Sequence, residues 1–182
     1  VSLRDYLRKM RGTTRGSPPR VSTGEIAWSW VGSFLGIAAV AWVGQLFFEG
    51  SDFTLMIGSF GASAVLIYGA IRSPLAQPRN LIGGHLLSAV VGVMSWKLLQ
   101  HDPWLAAAVA VATAIALMHA TKTLHPPGGA TALIAVIGSK QIHDLGFFYC
   151  LVPATLGPLI LLVVALIVNN IPGSRRYPEV WF

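Results

Sequence analysis

Two short stretches of this chain carry the residues best suited to hold a small charged molecule. They are Gly61-Ala62-Ser63-Ala64 and His125-Pro126-Pro127-Gly128-Gly129-Ala130-Thr131. If each glycine-led stretch opens a helix, its first turn has N–H groups without intrahelical partners and the positive end of the helix dipole. Such an end binds anions. Ser63 and Thr131 would add hydroxyls in the first turn, and Ala62 and Ala130 would leave space. The lead-in to each helix must be non-helical. Pro126 and Pro127 enforce this in the second stretch, because proline lacks an N–H and pushes its predecessor out of the α region. Gly58-Ser59-Phe60-Gly61 serves in the first. Irregular backbone at membrane depth is tolerated where it lines a cavity or is buried in protein. Two kinked helices packed for shape alone would give the same pattern, so binding and packing both stay open here.

Three histidines, His85, His119 and His125, are the ionisable residues nearest the apolar runs. An ionisable group inside a membrane is a functional candidate by default, although a lone histidine can simply hydrogen-bond a neighbouring helix. His125 lies on the unwound lead-in, four residues before Gly129. Its ring is expected to line the inner approach to the pocket. An unperturbed histidine titrates near pH 6.5 and would attract an anion only when protonated. His85 and His119 are candidates for gating or proton relay. No Asp or Glu lies inside an apolar run. Cation and metal sites in membranes usually use carboxylates, so the pattern favours an anion, with no metal and no cofactor.

The elements that position these groups follow from composition. The chain has 182 residues, 54% hydrophobic and 11% charged. A soluble domain carries roughly 25% charged residues, so the natural solvent here is lipid. Six apolar runs are readable: Ile26–Phe48, Leu55–Ile71, Leu81–Leu99, Trp104–Ala120, Gly128–Gly138 and Gly146–Val168. Four are long enough for a core of about 30 Å. The second is glycine-interrupted and the fifth is too short alone. Residues 1–25 read as a basic cytoplasmic tail whose first dozen residues suit an interfacial amphipathic helix. Residues 169–182 read as a polar tail. Gly32 with Gly36, and Gly84, Ser88 and Gly92, are small-residue stripes for close helix packing.

A repeat organises the runs. Gly61-Ala62-Ser63-Ala64-Val65-Leu66 matches Gly129-Ala130-Thr131-Ala132-Leu133-Ile134 at an offset of 68 residues. Arg72 and Lys140 each follow their glycine by 11 residues. Long runs flank both copies, giving units of about 26–99 and 104–168. With six crossings and the N-terminus inside, the inner side gathers the six bases of residues 1–25, Arg72, Arg79, Lys122, Arg175 and Arg176. Only Lys97 and Lys140 fall outside, along with Glu49, Asp52, Asp102 and Asp144. The positive-inside rule prefers this arrangement to one with four crossings. Three crossings per unit invert the second copy, as in many transporters. The expected fold is therefore all-α and integral to the membrane. It has two inverted three-segment repeats, four long transmembrane helices and two half-helices whose N-terminal ends meet near the midplane.

The net charge of +6 lies mostly in the head, without aromatic–basic interleaving or a nucleic-acid motif. The lipid surface is its expected partner, and nucleic acid is not. The single cysteine, Cys150, reads as a small packing residue. An enzyme using the histidines would need a nucleophile–base pair or metal cluster at recognisable spacing. None is present in the sequence, so the chain reads as a non-enzyme.

The stretch from His125 to Thr131 resembles the motif of the HPP family of integral membrane proteins. Ser73-Pro74-Leu75-Ala76-Gln77-Pro78-Arg79-Asn80, Gly83-Gly84-His85 and Gly61-Ala62-Ser63-Ala64 are also similar to that family. The resemblance covers roughly residues 26 to 168. It implies transport of nitrite, and a bacterial plasma membrane or plastid inner envelope as the compartment. The expected function is a permease or channel for a small monovalent anion held by Gly61, Ala62, Ser63, His125, Gly128, Gly129, Ala130 and Thr131. A non-transporting membrane scaffold or sensor is the alternative. A chain of 19.4 kDa with six segments has little lateral bulk, which argues for a homo-oligomer.

Overall fold

A computed structural model describes residues 2–10, 19–48 and 55–182. Arg11, Arg15, Gly16, Ser17, Pro18, Glu49 and Asp52 lie outside the described residues. The described chain is helical, in the order α1 (Leu3–Met10), α2 (Thr23–Phe48), α3 (Ser59–Ala64), α4 (Pro78–Leu99), α5 (Pro103–Ala120), α6 (Pro126–Ile137), α7 (Lys140–Leu145) and α8 (Leu156–Val168). Three of these, α2, α4 and α5, are long and apolar enough to cross a membrane.

The fourth long helix expected over 146–168 is not continuous. Gly146–Cys150 forms a 3-10 turn, the chain then turns through Pro153, and α8 starts only at Leu156. Pro153 lacks an N–H and restricts Val152, which stops a helix from running through. The 13 residues of α8 reach about 20 Å at roughly 1.5 Å per residue.

The hub is α4, which packs on α5, α6 and α8, while α2 lies against α8 and the end of the second apolar run. Small residues set these approaches. A Cβ on Gly84 would stand 2.5 Å from that of His125, and one on Gly92 would stand 2.6 Å from the Ala132 carbonyl oxygen. The helices meet at backbone distance, as small stripes allow in lipid. α5 buries Ala106, Ala110, Ala114 and Met118, one face at four-residue spacing. Beyond α3 the helix widens into a π-turn at Val65–Gly69. There Tyr68 lies in the groove left by Gly32 and Gly36, where a Cβ on Gly36 would fall 2.2 Å from its hydroxyl oxygen. Outward faces are apolar, with Trp30, Phe34, Trp42 and Phe47 of α2 exposed.

The C-terminal stretch, expected to trail as a polar tail, is docked. Arg175 is buried and forms an ion pair with Glu25 at 2.7 Å. The same guanidinium donates to the Tyr68 carbonyl at 2.6 Å and to Asn169 Oδ1 at 3.1 Å. Asn169 in turn donates to the Ile67 carbonyl. These donors satisfy carbonyls at the end of the π-turn that no helix continues to use. The contacts bring the start of α2, the end of α8 and the 70–77 loop to one end of the bundle, here called the tail end. Thr121, at the end of α5, joins them through Arg79, which donates to its carbonyl. α1 carries Leu3, Tyr6, Leu7 and Met10 on one exposed stripe, the pattern of a helix that lies on a membrane surface.

Candidate functional site

α3 and α6 lie side by side over their first two turns; α3 starts at Ser59 and α6 at Pro126, so Ser63 and Thr131 stand in the second turn and not, as expected, in the first. Ser59 Oγ lies 2.9 Å from Thr131 Oγ1, and Ser63 Oγ lies 2.9 Å from His125 Nε2. The earlier residue of α3 meets the later one of α6, so the two helices run in opposite directions along this contact. Pro126 and Pro127 fix the start of α6 and leave His125 extended as its cap residue, with φ −139°. The imidazoles of His125 and His85 fill the space beside the contact, their ring centroids 5.1 Å apart.

His85 joins the two copies of the repeat. Its Nε2 lies 2.7 Å from Ser63 Oγ and its Nδ1 lies 2.7 Å from Thr131 Oγ1. Ser63 and Thr131 occupy equivalent places in the repeat, so each copy supplies one hydroxyl to the same ring. His125 Nδ1 stands 2.8 Å from the Leu75 carbonyl. A carbonyl can only accept, so Nδ1 carries a proton and, in a neutral ring, Nε2 accepts from Ser63. Ser63 has then spent its single proton, and His85 Nε2 must donate to it. Thr131 decides the rest. If its proton goes to His85 Nδ1, His85 is neutral. If it goes to Ser59, His85 carries two protons. The direction of the Thr131 hydroxyl therefore goes with the charge of His85, and passing from the neutral to the cationic ring takes one proton from outside the cluster.

All four of these side chains, Ser63, His85, His125 and Thr131, are fully buried. Among the described residues no buried side-chain nitrogen or oxygen lacks a partner, as an apolar setting demands. His125 does not line an open approach: both of its ring nitrogens are engaged and its surface is covered. The other sequence candidates lie elsewhere. Gly61 and Ala62 are exposed. Gly129 and Ala130 line an apolar groove of about 480 Å³ between α5 and α6, with Val111, Ile115 and Leu133. Gly128 packs on α4, where its Cβ would meet the Gly84 carbonyl oxygen at 2.8 Å. His119 is exposed at the end of α5, away from the cluster. Ser59 and the Leu75 carbonyl were missed by sequence reasoning. So was Tyr149, whose hydroxyl donates to the Thr131 carbonyl at 2.9 Å. Ser59 stands in the lead-in that the glycine pattern marks, whereas nothing local singles out Leu75 or Tyr149.

Two further cavities sit at opposite ends of the bundle. One, of about 500 Å³, lies at the tail end among Ser22, Glu25, Arg72, Ser73, Ser174 and Arg175. The other, of about 220 Å³, includes Val93, Trp96, Lys97, Gln100, Ala135 and His143. None of the three cavities is lined by the four clustered side chains. No group of three or more His, Cys, Asp or Glu able to hold a metal occurs among the described residues.

Residues 18–178 match the family model described as the HPP transmembrane region. The chain belongs to the HPP family. It is an integral membrane protein by that membership and by its apolar helices. It is 46% identical over 180 residues to a transmembrane protein of Dictyostelium discoideum, covering 97% of this chain and 57% of that protein. A second transmembrane protein of the same organism is 46% identical over 181 residues, with 97% and 63% covered. The chain thus spans about three fifths of the length of these relatives. No solved structure matches it.

Proposed function

We propose that this HPP domain is a permease for a small monovalent anion, nitrite first, built from two inverted three-segment repeats that cross the membrane six times. The observation that carries the reading is the pairing of Ser63 and Thr131, one hydroxyl from each copy, on the two nitrogens of His85. A fold that needed only packing could fill this position with apolar side chains. Here it holds a buried ring with a hydroxyl on each nitrogen, and buried polar groups in an apolar bundle are costly unless they are used or fully paired. In this reading the described state is occluded, with cavities at both ends and the polar centre sealed. An anion reaching the centre would accept hydrogen bonds from the Ser63 and Thr131 hydroxyls, and both His85 nitrogens could then donate to those oxygens only if one proton entered with the anion. That links anion entry to a proton. Nitrite as the substrate, and a bacterial plasma membrane or plastid inner envelope as the compartment, rest on the family resemblance alone.

The complete internal pairing of the cluster favours a second reading, a membrane scaffold in which the histidines clasp α3, α4 and α6 together. Uptake into proteoliposomes separates the two. With nitrite, nitrate, formate and chloride compared, a permease gives saturable flux that competes among the anions. A scaffold gives no flux above that of protein-free vesicles.

A further inference from the structure

The small cavity at the end of the bundle away from the tail end has a chemistry of its own. Lys97 lines it, and its ammonium has no carboxylate partner among the described residues. Lys97 Nζ lies 5.8 Å from the centroid of the Phe147 ring. Asp144 on nearby α7 is already paired with Lys140. Trp96 and Gln100 also line the cavity, and neither the indole N–H nor the side-chain amide finds a hydrogen-bond partner among the described residues. His143 forms a further wall. Its ring is stacked on Trp96 at 3.9 Å and 14°, and its Nε2 is held by the Val136 carbonyl at 2.9 Å. That stack fixes the indole at the rim. A lysine, an indole and a side-chain amide with unused N–H donors line a space of about 220 Å³, a donor set that suits a small anion.

Its position relates the cavity to the buried centre. Ala135 lines it from α6, one helical turn beyond Thr131, and Val93 lines it from α4, two turns beyond His85. The floor between is made of small groups in tight contact, Gly92 of α4 against Ala132 and Ala135 of α6. The cavity therefore lies on the α4–α6 seam that leads to the hydroxyl–histidine cluster.

We propose that Lys97, Trp96 and Gln100 form the first binding site for a free monovalent anion, which then passes along the α4–α6 seam to the buried centre. The passage rests on the permease reading above, whereas the binding site does not. Iodide serves as the anionic probe and acrylamide as the neutral one, with the full chain in phosphatidylcholine vesicles. The Trp96 contribution to fluorescence is the difference between this protein and its Trp96→Phe variant. Iodide quenching of that component falls about fivefold in Lys97→Gln, as expected for loss of one nearby charge, while acrylamide quenching is unchanged. Lys97→Arg restores it. Gln100→Leu lowers it by a smaller factor. In nitrite uptake, Lys97→Gln raises KM and leaves the maximal rate unchanged.

Lys97 also stands in the last turn of α4, where a cation stabilises the helix dipole. If that is its whole role, Lys97→Gln lowers the melting temperature and leaves both quenchers unaffected, and the proposal is overturned. Iodide quenching abolished by adding anionic lipid at constant ionic strength would assign the site to a lipid headgroup and also overturn it. Selective iodide quenching in a protein with no nitrite flux would uphold the site and remove the permease reading. Normal flux with quenching indifferent to Lys97 would do the reverse.

Discussion

α3 and α6 carry the same Gly-Ala-hydroxyl-Ala sequence but are held in place by opposite means. One residue before each repeated glycine, α3 has Phe60 and α6 has Gly128. Phe60 is a fully buried knob set against Gly157 of α8, where a Cβ would fall 2.2 Å from its ring. Gly128 is a hole that lets α6 lie on the backbone of α4 at Gly84. The lead-ins differ as well. α6 opens on two prolines behind His125, whereas α3 opens behind Gly58 and runs on into the π-turn that carries Tyr68. What the copies share at the centre is their hydroxyls, Ser63 and Thr131, and both hydroxyls go to His85. What the repeat preserves is the pair of groups that reach the centre. The packing that delivers them was free to diverge.

Deleting the knob is expected to have the largest effect. Phe60→Ala should lower stability by about 3 kcal/mol or more, read as a large drop in melting temperature in detergent. If the two helices are interchangeable in their packing, this loss would not exceed that of filling the hole. Gly128→Ala should cost about 1–3 kcal/mol, because the new Cβ would press on the Gly84 carbonyl and Ser88 Oγ, both 2.8 Å away.

The histidine lead-in comes next. His125→Gln can keep one of its two hydrogen bonds and should cost about 1–2 kcal/mol. The permease reading expects the folded variant to lose most nitrite flux and the pH dependence of the remainder. The clasp reading expects a lower melting temperature with flux per folded molecule retained. Melting temperature and uptake measured together over a range of pH decide between them. A stable variant with unchanged flux and pH profile would remove His125 from the mechanism.

The smallest effects should come from the glycines that name the repeat. A Cβ on Gly61 meets nothing within 4 Å, and one on Gly129 meets only a Val111 methyl at 4.0 Å. Gly61→Ala and Gly129→Ala should each change stability by less than about 1 kcal/mol, with a gain at Gly61 where helix propensity acts alone. A large loss at either position would mean that the exposed face is covered by another copy of the chain.

Much of this protein was legible in its sequence because the signals are local. Low charge and long apolar runs gave a helical membrane protein, and the His-Pro-Pro-Gly-Gly stretch gave the family. Small-residue stripes at Gly32 and Gly36, and at Gly84, Ser88 and Gly92, gave close packing. The identity of Ser63, Thr131, His85 and His125 as residues of interest also came from type and spacing. Their connection did not. No pattern in the chain says that one imidazole bridges both hydroxyls, that Leu75 supplies the carbonyl that orients His125, or that Gly61 and Gly129 face away from the centre. Those facts depend on how α3 and α6 rotate about their axes when α6 packs on α4 and α3 on α6, and rotation is set by distant partners such as Phe60 with Gly157. The same holds for the stretch after Val168. Its polarity marked it as a tail, but the uncapped carbonyls of Ile67 and Tyr68 needed donors, and Asn169 and Arg175 supply them only once the chain has folded back on itself.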